Sequence, residues 1–430
     1  MFKQICILLC VIAFVPAFAQ TLTNSPYSRF GVGDIQNINS VRNLSMGGLR
    51  YGTSHSYSIN TGNPASYRRL AYSTFDISGF SDIQELQTTT ATNRLHSAGL
   101  NQFAFAFPTR FRTTFAVGLS PYSAVGYRFQ NEYTVTLDTQ VVNYLVAYSA
   151  SGGLNNFFGG AAVSLWKGLD IGFNAGFIFG SSNYVWNMTF LENQSLNPVS
   201  YQRKIYQQGF NLNVGLQYTD TLKFGSEKQV VVKGGLVYDR GAKLASEQVL
   251  ISRNLNPNKF TPDTLGGPTN STVQVPQRWG MGFEFERYIT PGAPLSQESY
   301  WSLGGDVSVQ DWSGYTALGN NPGLSNSYRL AVGGEWVPRL VSKIYVVKMA
   351  YRLGANYEKT YLVLNGESIR QTGVTFGFGL PFARTASKIH IGGEIGRRGT
   401  TSQNLIAENY YRIRIGLSLN ERWFTRYRID

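Results

Sequence analysis

Reactive chemistry is thin in this chain. It has three histidines, His55, His96 and His390, and its two cysteines, Cys6 and Cys10, fall within the first ten residues. No His, Cys or carboxylate spacing matches a zinc site, and no G-x-S-x-G elbow is present. The sequence reads as a non-enzyme with no cofactor. What it does carry is charge at alternating positions. Glu284, Glu286, Asp306, Glu335 and Glu394 fall on one parity of their segments, as do Arg329, Arg352, Arg412 and Arg414, with Lys233, Lys348 and Lys388. Such a set could line a polar path or clamp a carboxylate ligand. A salt-bridge network is preferred, because buried charges require partners and the two signs nearly balance.

Alternation at period two belongs to strands. Tyr411, Ile413, Ile415, Leu417 and Leu419 alternate with Arg412, Arg414, Gly416 and Ser418. Trp279, Met281, Phe283 and Phe285 alternate with Gly280, Gly282, Glu284 and Glu286. The composition agrees: of 430 residues, 14% are aromatic, only 15% are charged and 46 are Gly. An ordinary soluble domain carries roughly 25% charge. A soluble sandwich would turn these apolar faces inward. A transmembrane barrel turns them to lipid and the polar faces to its lumen, and that is the fold expected here.

Residues 1–19 read as a signal peptide. Lys3 supplies the positive end, Ile5 to Val15 the apolar run and Ala17-Phe18-Ala19 the cleavage site. Without Lys3 the charge is about +12, with 37 basic and 25 acidic residues. Nucleic acid is not an expected partner, since the bases are scattered and no binding motif appears. Outer-membrane lipids and lipopolysaccharide phosphates suit the charge better.

Fifteen strand-like runs follow residue 70, whereas a single-chain bacterial barrel has an even number. Short and long links alternate, as periplasmic turns and extracellular loops should, once the run 140–149 is assigned to a hairpin with 127–136 above the membrane. Fourteen antiparallel strands remain within residues 71–419. They are expected near 72–80, 100–107, 112–120, 155–165, 170–180, 209–219, 229–239, 278–288, 299–310, 327–337, 343–355, 371–380, 388–397 and 410–419. Residues 420–430 form a basic periplasmic tail containing Arg422, Trp423, Arg426 and Arg428.

Residues 20–70 fit no membrane strand. They carry five arginines and one carboxylate, Asp34. A plug inside the lumen is preferred to a disordered leader, with Arg29 as its first anchor and Asp34 as its second.

Three local motifs resemble the FadL-type outer-membrane transport family. They are Tyr27-Ser28-Arg29-Phe30-Gly31-Val32-Gly33-Asp34, then Met46-Gly47-Gly48, and Asn63-Pro64-Ala65-Ser66 just before the first strand. The resemblance implies a fourteen-stranded barrel in the bacterial outer membrane with an N-terminal hatch. It implies passive, cofactor-free uptake of hydrophobic small molecules such as long-chain fatty acids. It also implies lateral release near a kinked third strand. Gly118, Pro121, Tyr122 and Gly126 are the residues expected at such an opening, because proline removes a ladder donor. The other reading of Pro121 is a plain strand end. A second function class stays open: a non-transporting barrel that is a subunit of an outer-membrane assembly or secretion complex, with other outer-membrane proteins as partners.

Overall fold

The alternating runs close into one wall. A computed structural model describes residues 22–423 except 138–139, 192–196, 225–227, 255–261, 266, 290–298, 318–322 and 384. The signal segment and the tail positions Arg426 and Arg428 lie outside the described residues. Among those described, fourteen antiparallel strands form the barrel. They are β1 (Ser73–Gln87), β2 (Thr92–Pro108), β3 (Thr113–Leu137), β4 (Gln140–Trp166), β5 (Leu169–Phe190), β6 (Val199–Phe224), β7 (Lys228–Asn254), β8 (Arg278–Ile289), β9 (Ser299–Gln310), β10 (Ser327–Val337), β11 (Ala350–Leu364), β12 (Glu367–Pro381), β13 (Lys388–Arg398) and β14 (Ala407–Glu421). Each pairs with its sequence neighbour, and β14 closes on β1 from Ala407↔Gln87 to Glu421↔Ser73.

The outer face is apolar. Ile413 and Ile415 are each 58% exposed while Arg414 between them is buried. Trp279, Tyr328 and Tyr411 lie exposed near the extracellular ends of their strands, and Trp166 and Trp336 near the opposite ends. Exposed apolar strand faces bounded by aromatic girdles are what lipid requires.

Several boundaries differ from the sequence expectation. The expected strand at 343–355 begins only at Ala350, because Val346–Lys348 makes a helical turn. Lys348 therefore stacks on Tyr345 outside the lumen. The expected loop 358–370 is largely strand, closed by Asn365-Gly366 with φ of 50° and 81°. Positive φ at both residues makes a type I′ turn, which matches strand twist. The expected loop 81–99 is likewise a hairpin of β1 and β2. The run 127–149 stands as the top of the β3–β4 hairpin. β14 extends past Leu419 to Glu421, and Trp423 packs on Phe105, ring centroids 5.3 Å apart.

Candidate functional site

The lumen is occupied by the chain's own residues 22–70. Their first secure hold on the wall is electrostatic. Arg42, on the short helix Val41–Leu44, is 1% exposed and donates from Nε to Glu335 at 3.1 Å. Arg352 of β11 meets the same carboxylate at 2.5 Å. Glu284 lies 3.9 Å from Arg42 and 3.0 Å from Lys233, and Glu286 lies 2.7 Å from Lys233. Three cations face three carboxylates in these ion pairs, and the Lys388 ammonium lies near enough to Glu335 to act on it as well. Such pairing is the condition for a network to survive burial. Thr53 Oγ1 and the Ser54 amide also donate to Glu284. Burial, with Arg42 nearby, holds the His55 imidazole well below its ordinary range and hence neutral.

The second hold is backbone on backbone. In β10 and β11, Gly333 and Gly354 are register partners. A Cβ on Gly333 would sit 2.5 Å from the Met46 carbonyl, and one on Gly354 would sit 2.2 Å from the Gly47 amide. The Met46-Gly47-Gly48 motif lies flat on this bare patch. Gly47 has φ of 69°, and a Cβ there would meet Ala355 O and Val332 O at 2.6 Å. Only glycine fits both demands. Arg329 donates to the Gly47 and Gly48 carbonyls. On the opposite wall Gly172 and Gly215 are also partners, and Asn63-Pro64 presses on them. Asn63 Nδ2 donates to Tyr51 O at 2.7 Å, while its Oδ1 accepts from the Ala65 amide. Asp306 gathers the amides of Arg50, Tyr51 and Gly52.

Other inward charges pair as well, while Asp76 and Glu408 accept from the Ser418 and Ser25 hydroxyls and Lys388 makes no ion pair among the described residues. Arg414 meets Glu394 at 2.6 Å, Arg412 meets Asp82 at 2.7 Å and Arg398 meets Asp34 at 2.8 Å. Asp34 thus finds a wall base. Arg29 does not act as an anchor: it is exposed, and its guanidinium lies over the Phe30 and Phe129 rings. Phe30 packs at the edge of a buried cluster with Tyr27, Val32 and Tyr361, and Gly31 lets the Tyr361 ring approach. Arg42 holds the place expected of Arg29, and nothing in its local spacing sets it apart from the segment's other arginines.

Among the described residues the β2–β3 ladder is the shortest between neighbouring barrel strands. It runs from Pro108↔Thr114 only to Phe103↔Leu119. Gly118 packs under Phe158, Pro121 follows, and Tyr122 is an extra residue bulged between Pro121 and Ser123. Above this point the two strands part. Residues 22–36 fill the seam. Asp34 and Ile35 pair with Ala124 and Ser123 as a short strand. The Ser28 hydroxyl donates to Gly126 O and accepts from Gly126 N, at 3.1 and 3.0 Å. On the other side Asn24 Nδ2 donates to His96 O of β2 at 2.8 Å. Gly126 is needed because Thr23 O would lie 1.9 Å from a Cβ there.

Among the described residues, one cavity of about 90 Å³ and another of about 80 Å³ lie beside the segment. The first is bordered by Arg50, Asp239 and Arg278, the second by Arg329, Glu358 and Arg398.

The family model described as BamG matches residues 1–430. The chain belongs to the BamG family. No curated protein sequence matches it. Its fold is that of FadL-type channels. The Pseudomonas putida toluene transporter TodX is 13% identical with a TM-score of 0.52, over 92% of this chain and 100% of that one. The Ralstonia pickettii toluene transporter TbuX is 13% identical with a TM-score of 0.53, over 89% and 98%. A Pseudomonas aeruginosa FadL homologue is 10% identical with a TM-score of 0.55, over 90% and 98%. The resemblance expected from the three N-terminal motifs thus holds for the fold, and the family itself is BamG.

Proposed function

We propose that this BamG-family chain is an outer-membrane barrel working as a non-transporting subunit of a protein assembly or secretion complex. The observation that carries this reading is the chemistry of the lumen. Sites for apolar ligands are lined mostly by apolar side chains. Both cavities here are bordered by charged side chains, and an apolar solute entering them would strip those charges of water at high cost. Residues 20–70 serve as a fixed plug in this reading, fastened by Arg42 and Asp34, and the barrel is a rigid mount for other outer-membrane proteins.

A second reading is passive uptake of hydrophobic small molecules, with long-chain fatty acids as one substrate class and lateral release at the seam. It is favoured by the fold shared with the toluene transporters and by the parting of β2 and β3 beside Gly118, Pro121, Tyr122 and Gly126. Delivery to lipid would be worth about 0.8 kcal/mol per methylene.

One experiment separates the two. The chain is purified from native outer membranes in mild detergent, and the same preparation is tested in liposomes for uptake of a labelled fatty acid and of toluene. The subunit reading expects stoichiometric co-purification with another outer-membrane protein and no uptake above empty liposomes. Uptake that a disulfide across the seam abolishes, with no co-purifying protein, would overturn it in favour of transport.

A further inference from the structure

The seam leaves one strand edge that the chain itself only partly uses. Above Leu119, β3 is paired on its β2 side by the chain's own residues 28–36 alone. Those contacts fix the direction of its backbone groups. The Gln36 amide donates to Tyr122 O, and Gly126 turns both its amide and its carbonyl to Ser28. Alternate residues of a strand aim their backbone groups the same way. Arg128, Gln130, Glu132 and Thr134 therefore aim theirs at the seam, and among the described residues nothing pairs with them on that side.

The side chains complete the picture. Arg128, Gln130, Glu132 and Thr134 are exposed. Tyr127, Phe129 and Tyr133 point the other way and continue into an aromatic row: Phe129 stacks on Tyr148 at 4.9 Å and Tyr133 on Tyr144 at 5.6 Å. Arg29 lies over Phe129 and makes no ion pair among the described residues. Exposed edges are ordinarily shielded by proline, a bulge or a covering element. Residues 127–137 contain no proline, their register with β4 is unbroken, and the covering segment stops at Gly126.

We propose that this edge, over residues 127–135, receives an extended segment of another outer-membrane polypeptide as an added strand. The backbone groups of Arg128, Gln130, Glu132 and Thr134 supply the ladder, as Ala124 already does for Asp34. Apolar side chains on one parity of the incoming segment lie over Phe129 and Tyr133, and a carboxylate at its near end meets Arg29. The pairing of residues 34–35 with the same edge is the precedent for strand addition. The inference rests on the subunit reading above.

The test uses the full chain in native outer membranes. Thr134→Cys adds a single thiol to a chain with no cysteine beyond Cys10. The thiol carries a photoactivatable crosslinker. The expected result is one discrete adduct with the co-purifying protein. Gln130→Pro removes a donor only on the seam side, so β3 stays paired with β4 while the adduct falls about tenfold or more. Gln130→Ala keeps the adduct, and unchanged electrophoretic mobility of the folded barrel shows that both variants fold. Co-purification without an adduct, an adduct that Gln130→Pro leaves intact, or an adduct only to lipid or to a second copy of this chain would each overturn the inference while leaving the subunit reading standing. Absence of any co-purifying protein with the parent chain would overturn both.

Discussion

The barrel has a tall sector and a short one. β3 to β7 are 22 to 27 residues long, whereas β8 to β10 are 11 or 12. About 9–11 residues suffice to cross a bilayer. The short strands end near the membrane surface, and the tall ones run on for more than their own spanning length. Their chemistry changes along the way. At membrane depth the inner face of β5 carries Asp170, Gly172 and Asn174; higher up the same parity carries Tyr184, Trp186 and Phe190. The two sectors also hold the N-terminal segment differently. The short side holds it by buried charge through Glu335, Glu284 and Asp306 together with backbone contact at Gly333, while the tall side holds it by backbone contact at Gly172 and Gly126 and by one ion pair, Asp170 with Arg69. Both walls fasten the segment, most of the buried charge lies on the short one, and the tall one alone carries a long upper extension.

The comparison can be broken most decisively at Glu335. Glu335→Ala leaves Arg42 and Arg352 buried without their shared carboxylate, and the barrel should lose about 3–5 kcal/mol. Urea unfolding in detergent checks this, and a small change would mean that buried charge does not fasten the segment on the short side. Next comes the lipid face. Ile413→Arg or Ile415→Arg should cost up to about 2–4 kcal/mol if the position lies near the midplane; a neutral result at both would mean that β14 is out of register. Gly47→Ala should cost about 1–2 kcal/mol from its left-handed backbone alone, and more if the segment cannot shift away from Val332 and Ala355. The smallest effect belongs to the tall side. Phe129→Ala removes aromatic pairs worth about 0.5–1.5 kcal/mol. Protease cutting within residues 127–148 should quicken while the urea midpoint of the barrel holds, and a shift of that midpoint would merge the two sectors into one cooperative unit.

The strand count was legible because link lengths alternate, a direct consequence of turns on one side of a membrane and loops on the other. Strand ends were not, because lipid dictates only the spanning part. Residues 81–87 and 92–99 carry no lipid-facing pattern, yet pair with each other across a tight turn. The hairpin turn at Asn365-Gly366 falls inside a stretch where the alternation of links calls for a long loop. The lumenal carboxylates and bases were legible from parity, except Lys348, whose turn interrupts the alternation. Among the anchors in residues 20–70 the expected first place of Arg29 goes to Arg42, because five arginines in a segment without period look alike until the wall is folded. The break near Pro121 was legible from a missing donor. That the chain's own residues 22–36 fill it was not, since pairing across so much sequence leaves no local mark.

The stopper in the seam also sets an order of events. Ser25 donates to Glu408 and Tyr27 to the Ile406 carbonyl, partners 383 and 379 residues away at the start of β14. Those acceptors come into place only when β14 has met β1 and the circle has closed. The earliest-made part of this wall is therefore its keystone. Its last bonds, to Glu408 and Ile406, can form only after the final strand arrives, so the seam is locked by the two ends of the chain together.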